Sequence, residues 1–196
     1  MMKTVFVAAA AMAVSATVAS ANDFDNTGVT LTAETGKLEF VLEGTADNGY
    51  DSLTVGYEAL SYDAGANATG ALDVYATTHR ADDEFSIGAE YTMTYSRDAL
   101  SLYGRADAEY FVNSEVLAVT PTLGASYVAA EAVTVWGEVG YTWDATNDWA
   151  KQGGLAEVGV DFAVAENIAI TPSVRYNFDG AAADNTQAHL GVKFSF

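Results

Sequence analysis

Residues 168–178 read IAITPSVRYNF and alternate between apolar and polar side chains along their whole length. The even positions carry isoleucine, proline, valine, tyrosine and phenylalanine, whereas the odd positions carry alanine, threonine, serine, arginine and asparagine. Successive side chains of a β-strand point to opposite faces of a sheet, so this stretch has one apolar and one polar face. The pattern predicts a strand that separates an apolar environment from a polar one.

The same alternation continues from residue 37 to residue 196, in segments of about ten residues separated by polar turns. The segments cover residues 37–44, 51–62, 71–79, 84–96, 99–112, 115–128, 132–144, 154–164, 167–179 and 187–196. When the more apolar face of each segment is turned outward, that face carries no aspartate, glutamate, lysine or arginine beyond the first residue of a segment, where Asp51 and Glu115 stand. A charge that faces lipid at mid-bilayer is costly, so charge-free faces of this length are typical of membrane barrels. We predict an all-β fold, a closed antiparallel up-and-down transmembrane β-barrel, with ten strands as the best count and eight as the alternative.

The two faces of these segments predict two groups of functional residues. Charged residues occupy the opposite, inward face, where we expect them to line a pore or fill a plug: Glu39, Glu58, Asp73, Glu90, Arg105, Asp107, Glu109, Glu138, Glu157, Asp161, Arg175 and Lys193. Aromatic residues collect at the ends of the outward faces, where we expect girdles at the two membrane interfaces: Phe85, Tyr95, Tyr110, Tyr127, Trp143 and Phe178.

The connections between the segments predict two different ends of the barrel. Short connections fall near residues 97–98, 129–131 and 166–167, and longer ones cover residues 80–83, 145–153 and 180–186. Such alternation is typical of short periplasmic turns and longer outer loops. Two connections do not fit, because residues 113–114 are short where a long loop is due and residues 62–70 are long where a turn is due.

The N-terminal residues have the features of a targeting segment. Lys3 is followed by an apolar run over residues 5–18 and by the small residues of positions 19–21, which predicts a cleaved secretory signal peptide over residues 1–21. Residues 22–36 are an N-terminal extension, or they extend the first strand through a bulge at Gly36. An eleventh strand there would break the even number of bacterial single-chain barrels. The outer-membrane barrel itself is assigned to residues 37–196.

Composition and charge exclude several classes of protein. The 196 residues carry a formal charge of -19, which excludes a nucleic-acid binder because such a protein needs a basic face. Hydrophobic residues make up 50% of the chain, far more than in a disordered acidic tail. The chain has no cysteine, so it has neither disulfides nor a cysteine metal site. We expect no cofactor and no metal.

The last eight residues read HLGVKFSF. His189, Gly191, Phe194 and Phe196 stand at the polar, glycine, aromatic and terminal aromatic positions of the C-terminal β-signal of outer-membrane proteins, which this stretch resembles. The chain thus resembles the small outer-membrane β-barrel superfamily of Gram-negative bacteria, which includes OmpA- and OmpX-type barrels and small porin-like proteins. The resemblance implies an outer-membrane location, contact with lipid and lipopolysaccharide, and insertion by the barrel-assembly machinery.

Three functions remain open from the sequence. A passive pore with an acidic lumen would favour small cations over anions. A plugged barrel would serve a structural or surface-interaction role, with its inward charges paired and its acidic loops outside. A remote third possibility is a hydrolase with His79, Asp82 and Asp83 at the outer rim. The chain has only two histidines, however, and no other group of residues at that rim would orient a water molecule or a nucleophile. We therefore expect a porin-like protein that is not an enzyme.

Overall fold

The structure, a computed structural model, describes residues 27–45, 49–80, 82–180 and 185–196, so the expected signal peptide lies outside the described residues. Eleven strands form a single closed barrel in which each strand pairs with its chain neighbours. The strands are β1 (Thr27–Thr35), β2 (Leu38–Thr45), β3 (Gly49–Gly65), β4 (Ala68–His79), β5 (Glu84–Arg97), β6 (Leu100–Phe111), β7 (Val116–Ala130), β8 (Val133–Asp144), β9 (Ala150–Ala165), β10 (Ile168–Phe178) and β11 (Asn185–Ser195). The closed barrel confirms the expected all-β class.

The predicted strand counts of ten and eight are both wrong, because β1 is a strand of its own. A two-residue turn at residues 36–37 connects β1 to β2. Gly36 has a φ of +61°, a conformation that glycine adopts at little cost and that suits the first position of a hairpin turn. Gly36 therefore forms a turn that reverses the chain, and the expected bulge that would extend the first strand is wrong. The prediction of an even strand number rests on a rule for bacterial single-chain barrels, and the eleven strands of this barrel are an exception to that rule.

The eleventh strand changes how the barrel closes. β1 and β11 run parallel, with Val29 opposite Leu190 and Leu31 opposite Val192, whereas the other neighbouring strands run antiparallel. The up-and-down antiparallel arrangement is therefore wrong at this one pair. Because the strand number is odd, the start of β1 and the C-terminal Phe196 lie at opposite ends of the barrel.

The connections divide the barrel into two ends that differ consistently. At one end, called the turn end below, the connections are residues 36–37, 66–67, 98–99, 131–132 and 166–167. At the other, the loop end, they are residues 46–48, 80–83, 112–115, 145–149 and 179–184. The two connections that depart from the alternation of short and long in the sequence agree with it in the structure. β3 continues to Gly65, which leaves a short turn before β4, and residues 112–115 form a loop of four residues between β6 and β7.

The side chains are sorted by face. Large apolar residues alternate with inward residues and remain exposed on the outer surface, as Leu123 (68%) in the middle of β7 and Val158 (62%) on β9 illustrate. The inward face instead carries hydroxyl, carboxylate and guanidinium groups that contact one another. Within the paired strands, the outward positions are charged only near strand ends, at Arg97 and Lys151. The fold thus surrounds a polar interior with an apolar outer belt.

Candidate functional site: the charged inner wall

The structure places all twelve of the predicted charged positions on the inward face. The register shows this directly, since Glu58 lies opposite Asp73, Glu138 lies opposite Glu157, and Glu157 in turn lies opposite Arg175. The inward face also carries Glu34 on β1 and Glu43 on β2, which the sequence analysis did not assign to it. Glu43 lies four residues after Glu39 on the same strand and therefore on the same face of the sheet. The two-residue period of a strand could thus have predicted that Glu43 faces inward.

One ion-pair network joins β5, β6 and β8. The Arg105 guanidinium lies 3.1 Å from Glu138 and 3.5 Å from Glu90, and the Tyr103 hydroxyl donates a 2.8 Å hydrogen bond to Glu138. The Glu138 side chain is only 10% exposed, so its charge depends on these donors. Arg105 thereby holds two carboxylates of the inner wall in fixed positions.

A second network joins β9 and β10. The Nε and Nη2 atoms of Arg175 both lie 2.8 Å from the same oxygen of Glu157, Oε2, so that two guanidinium nitrogens share one carboxylate oxygen. The hydroxyl of Ser173 donates a further bond of 2.6 Å to the same carboxylate. Nearby, Asp161 accepts bonds from Thr171 (2.7 Å) and from the Trp136 indole (3.2 Å). The hydrogen bonds to these two carboxylates of β9 come from side chains of the two adjacent strands, β8 and β10.

A row of carboxylates crosses four neighbouring strands on the opposite part of the wall. Glu58, Asp73, Glu90 and Asp107 lie directly opposite one another in succession across β3, β4, β5 and β6. Like charges at such cross-strand positions repel and destabilise a sheet. Lys37 contacts the row at Glu58 (3.4 Å) and Arg105 contacts it at Glu90, but Asp73 has no ion-pair partner among the described residues. The row is therefore a stretch of excess negative charge in the lumen.

At the loop end, His79 contacts Ser86 and Glu109 on the inner wall. His79 Nε2 lies 3.0 Å from the Ser86 hydroxyl, and that hydroxyl donates a 2.5 Å bond to Glu109. The Glu109 carboxylate also lies 3.6 Å from the same His79 nitrogen, whereas a relay needs the acid on the other ring nitrogen. Ser86 is fully buried, so it offers no accessible nucleophile. Asp82 and Asp83 are exposed in the adjacent loop.

The β-signal residues lie on β11 and at its end. Gly191 faces the lumen beside Thr171, Phe194 packs on the outer side with Val192, and Phe196 donates its backbone N–H to the Glu34 carbonyl at 3.0 Å. His189 lies across Gly28 at the loop end. Lys193 forms an ion pair with Glu34 across the parallel pair of strands. β11 is therefore joined to β1 by side chains on both faces.

The predicted girdle residues lie on the outward face near the two ends. Phe85, Tyr110, Trp143 and Phe178 are at the loop end, and Tyr95 and Tyr127 are at the turn end. Tyr141 packs against both Trp143 and Phe178, with ring centroids 4.6 and 6.3 Å apart. Only part of this aromatic cluster could be predicted from the sequence. Tyr141 on β8 and Phe178 on β10 lie on either side of Gly154 on β9, and their rings meet because this glycine has no side chain between them.

No protein-family model matches the chain, and no curated protein resembles it significantly in sequence. Within the described ranges, no helix is long and apolar enough to cross a membrane. No group of three or more histidine, cysteine or carboxylate side chains in those ranges has the geometry of a metal site.

Proposed function

We propose that this chain is an integral β-barrel of a bacterial outer membrane and that its lumen is a narrow, porin-like path favouring small cations. The observation that carries the proposal is the sorting of side chains on a closed barrel. An apolar belt covers the outside, and carboxylates outnumber cations on the inside. An apolar belt in lipid is stable, whereas in water it would be an aggregation hazard. The surroundings would be outer-membrane lipid and lipopolysaccharide, reached with the help of the barrel-assembly machinery.

The accessibility of the inward ions supports a path rather than a dry plug. The side chains of Arg105, Arg175 and Lys193 retain about a third to a half of their surface (31%, 34% and 47%), although each is in an ion pair. Charged groups in a plugged interior would be desolvated and enclosed by their partners. The row that contains Asp73 adds uncompensated negative charge, which attracts cations and repels anions.

A plugged structural barrel is the second candidate, favoured by two tyrosine rings that lie on the inner wall and each cover the strand between two others. The Tyr75 hydroxyl reaches over β5 to Asp107 (2.6 Å), and the Tyr103 hydroxyl reaches over β7 to Glu138 (2.8 Å). These side chains narrow the lumen, and small barrels are commonly filled by their own side chains.

Two measurements on the refolded full-length protein test the proposal. A folded barrel should migrate differently in gel electrophoresis before and after boiling, and it should insert into lipid vesicles. In a planar bilayer we expect stepwise conductance with a reversal potential that indicates cation preference. A barrel that inserts but conducts nothing would support the plugged alternative. A chain that remains folded in water without detergent would contradict the membrane location.

A further inference from the structure

A cavity of about 280 Å³ opens at the loop end, beside the parallel pair of β1 and β11. Residues 28–30 at the start of β1 lie in the middle of its lining, with β2 and β3 on one side and β10 and β11 on the other. A solute that entered the lumen from the loop end would pass this cavity. Its volume suits a small polar molecule rather than a chain of sugars or a peptide helix.

The β2–β3 side of the cavity is acidic. Three acidic residues line the cavity on this side: Glu43 on β2, Asp51 on β3 and Asp82 in the loop after β4. Ser52 donates a 3.0 Å hydrogen bond to Glu43, which fixes this carboxylate in place. Within the part of the chain that the structure describes, none of the three is in an ion pair. His79 also lines this side, but its ring is engaged with Ser86 and Glu109.

The β10–β11 side of the cavity carries hydrogen-bond donors. Arg175 holds Glu157 through Nε and Nη2, and its Nη1 is not needed for that pair. Gln187 and His189 lie next to it on β11, with the Gln187 Oε1 atom 3.3 Å from His189 Nε2. The amide N–H groups of Gln187 and the Arg175 Nη1 atom are the donors that a carboxylate ligand would need.

The two sides are complementary to the two ends of one kind of molecule. We propose that the cavity binds a small zwitterion of amino-acid chemistry, with its ammonium group among Glu43, Asp51 and Asp82 and its carboxylate toward Arg175 and Gln187. A simple cation would use only the acidic side, and a simple anion would use only the donor side. The inference goes beyond the proposed function, because binding at this cavity needs the folded barrel but not conduction through it.

Calorimetric titration of the refolded full-length protein in detergent tests the inference. The zwitterionic probes are glycine, 4-aminobutanoate and 6-aminohexanoate, which place the two charges at increasing separations. Butylamine and butanoate are the singly charged controls. We expect at least one zwitterion to bind about tenfold more tightly than either control, which corresponds to about 1.4 kcal/mol. If no zwitterion binds more tightly than butylamine, the inference is wrong, whether or not butylamine itself binds.

Three variants locate the binding. We expect Glu43→Gln and Asp82→Asn each to weaken zwitterion binding about fivefold or more, as loss of an ionic hydrogen bond of about 1 kcal/mol or more requires. Asp98→Asn, the same change of charge at the turn end, should leave binding unaltered. Asp82 is exposed in a loop, so its variant tests the site even if the Glu43 variant fails to fold. Equal weakening by Asp98→Asn would overturn the inference. Binding without conductance would contradict only the proposed pore, and conductance without binding would contradict only this site.

Discussion

The hydroxyl of Tyr75 on β4 donates a 2.6 Å hydrogen bond to Asp107 on β6, and its ring lies across Gly88 on the strand between them. A Cβ atom at Gly88 would fall 2.2 Å from Cζ of this ring, closer than two non-bonded carbon atoms can approach. Tyr103 crosses Gly124 in the same way to reach Glu138. Aromatic rings that cover strand glycines in this way help to hold curved sheets in register.

Substitution of Gly88 therefore tests the crossing directly. We expect Gly88→Ala to displace the Tyr75 ring and to lower the free energy of unfolding by about 1–3 kcal/mol, as overpacking of a filled site does. Gly56→Ala is the matched control, because a Cβ atom there would lie 3.8 Å from its nearest neighbour on the same inward face. Urea unfolding followed by tryptophan fluorescence measures both. Equal losses in the two variants would contradict a specific role of the Tyr75 ring.

Removal of Arg105 tests the first ion-pair network. We expect Arg105→Gln to destabilise the barrel by about 1–3 kcal/mol, because Glu138 would keep only the Tyr103 hydroxyl as a donor. Lys151→Gln is the control, since the pair of Lys151 with Asp179 is largely exposed (70% and 61%) and such pairs contribute about 0–1 kcal/mol. Urea unfolding of both variants gives the comparison. A loss no larger than that of the control would mean that water in the lumen replaces the guanidinium fully.

The sorting of side chains into two faces could be predicted from the sequence, because it depends only on the two-residue period of a strand. Residues 168–178 form β10 with the alternation that their sequence shows, and no neighbouring strand is needed to infer it. The position of Asp73 on the inner wall follows from the same period. The pairing of Arg105 with Glu138 does not, because β7 separates their strands and only the barrel's curvature brings them together.

The strand count could not be predicted for a different reason. Residues 27–35 alternate as regularly as the other strands, so they could have been counted as a strand. The alternation does not show, however, whether β11 pairs with β1 or with β2 when the barrel closes. A partner for β11 is chosen by contacts distant in the chain, such as Lys193 with Glu34 and Val192 with Leu31. The cavity beside this pair could not be anticipated either, since Glu43 and Arg175 approach it only after closure.

The acidic row predicts a change in ion selectivity. We expect Asp73→Asn to reduce the preference for cations over anions at least about twofold, since a unit charge about 4 Å away contributes about 1 kcal/mol in water. Reversal potentials in a salt gradient across a planar bilayer measure the preference, which should be clearest at low ionic strength. Glu131→Gln at the turn end removes the same charge outside the row and serves as the control. An unchanged reversal potential for Asp73→Asn would mean that ions do not pass this wall.

The parallel closure predicts a specific cross-link. The chain has no cysteine, so Leu31→Cys combined with Val192→Cys introduces a single pair at positions that lie opposite each other. Neighbouring parallel strands are within the Cα separation that a disulfide spans, about 4.4–6.8 Å. We expect rapid oxidation and an electrophoretic shift that a reducing agent reverses. Val29→Cys with Phe194→Cys, four residues out of register, should not cross-link. Closure of a ten-stranded barrel between β2 and β11 would leave the first pair reduced as well.

The apolar belt predicts that a charge placed on the outer surface destabilises the barrel much more in lipid than in water. A substitution inside the barrel cannot test this, because it does not contact the surroundings. Leu123 lies in the middle of β7 and is 68% exposed on the outer surface. In a bilayer, Leu123→Arg should cost about 2–4 kcal/mol, the penalty for a cation at the mid-plane. In water, the same substitution at an exposed site should change stability by no more than about 0.5 kcal/mol. Refolding into vesicles at a series of urea concentrations measures the difference, with Leu123→Ala as the control for lost packing. If the arginine variant inserts as readily as the alanine variant, the outer surface does not face lipid, and the proposal of a membrane-spanning barrel is wrong.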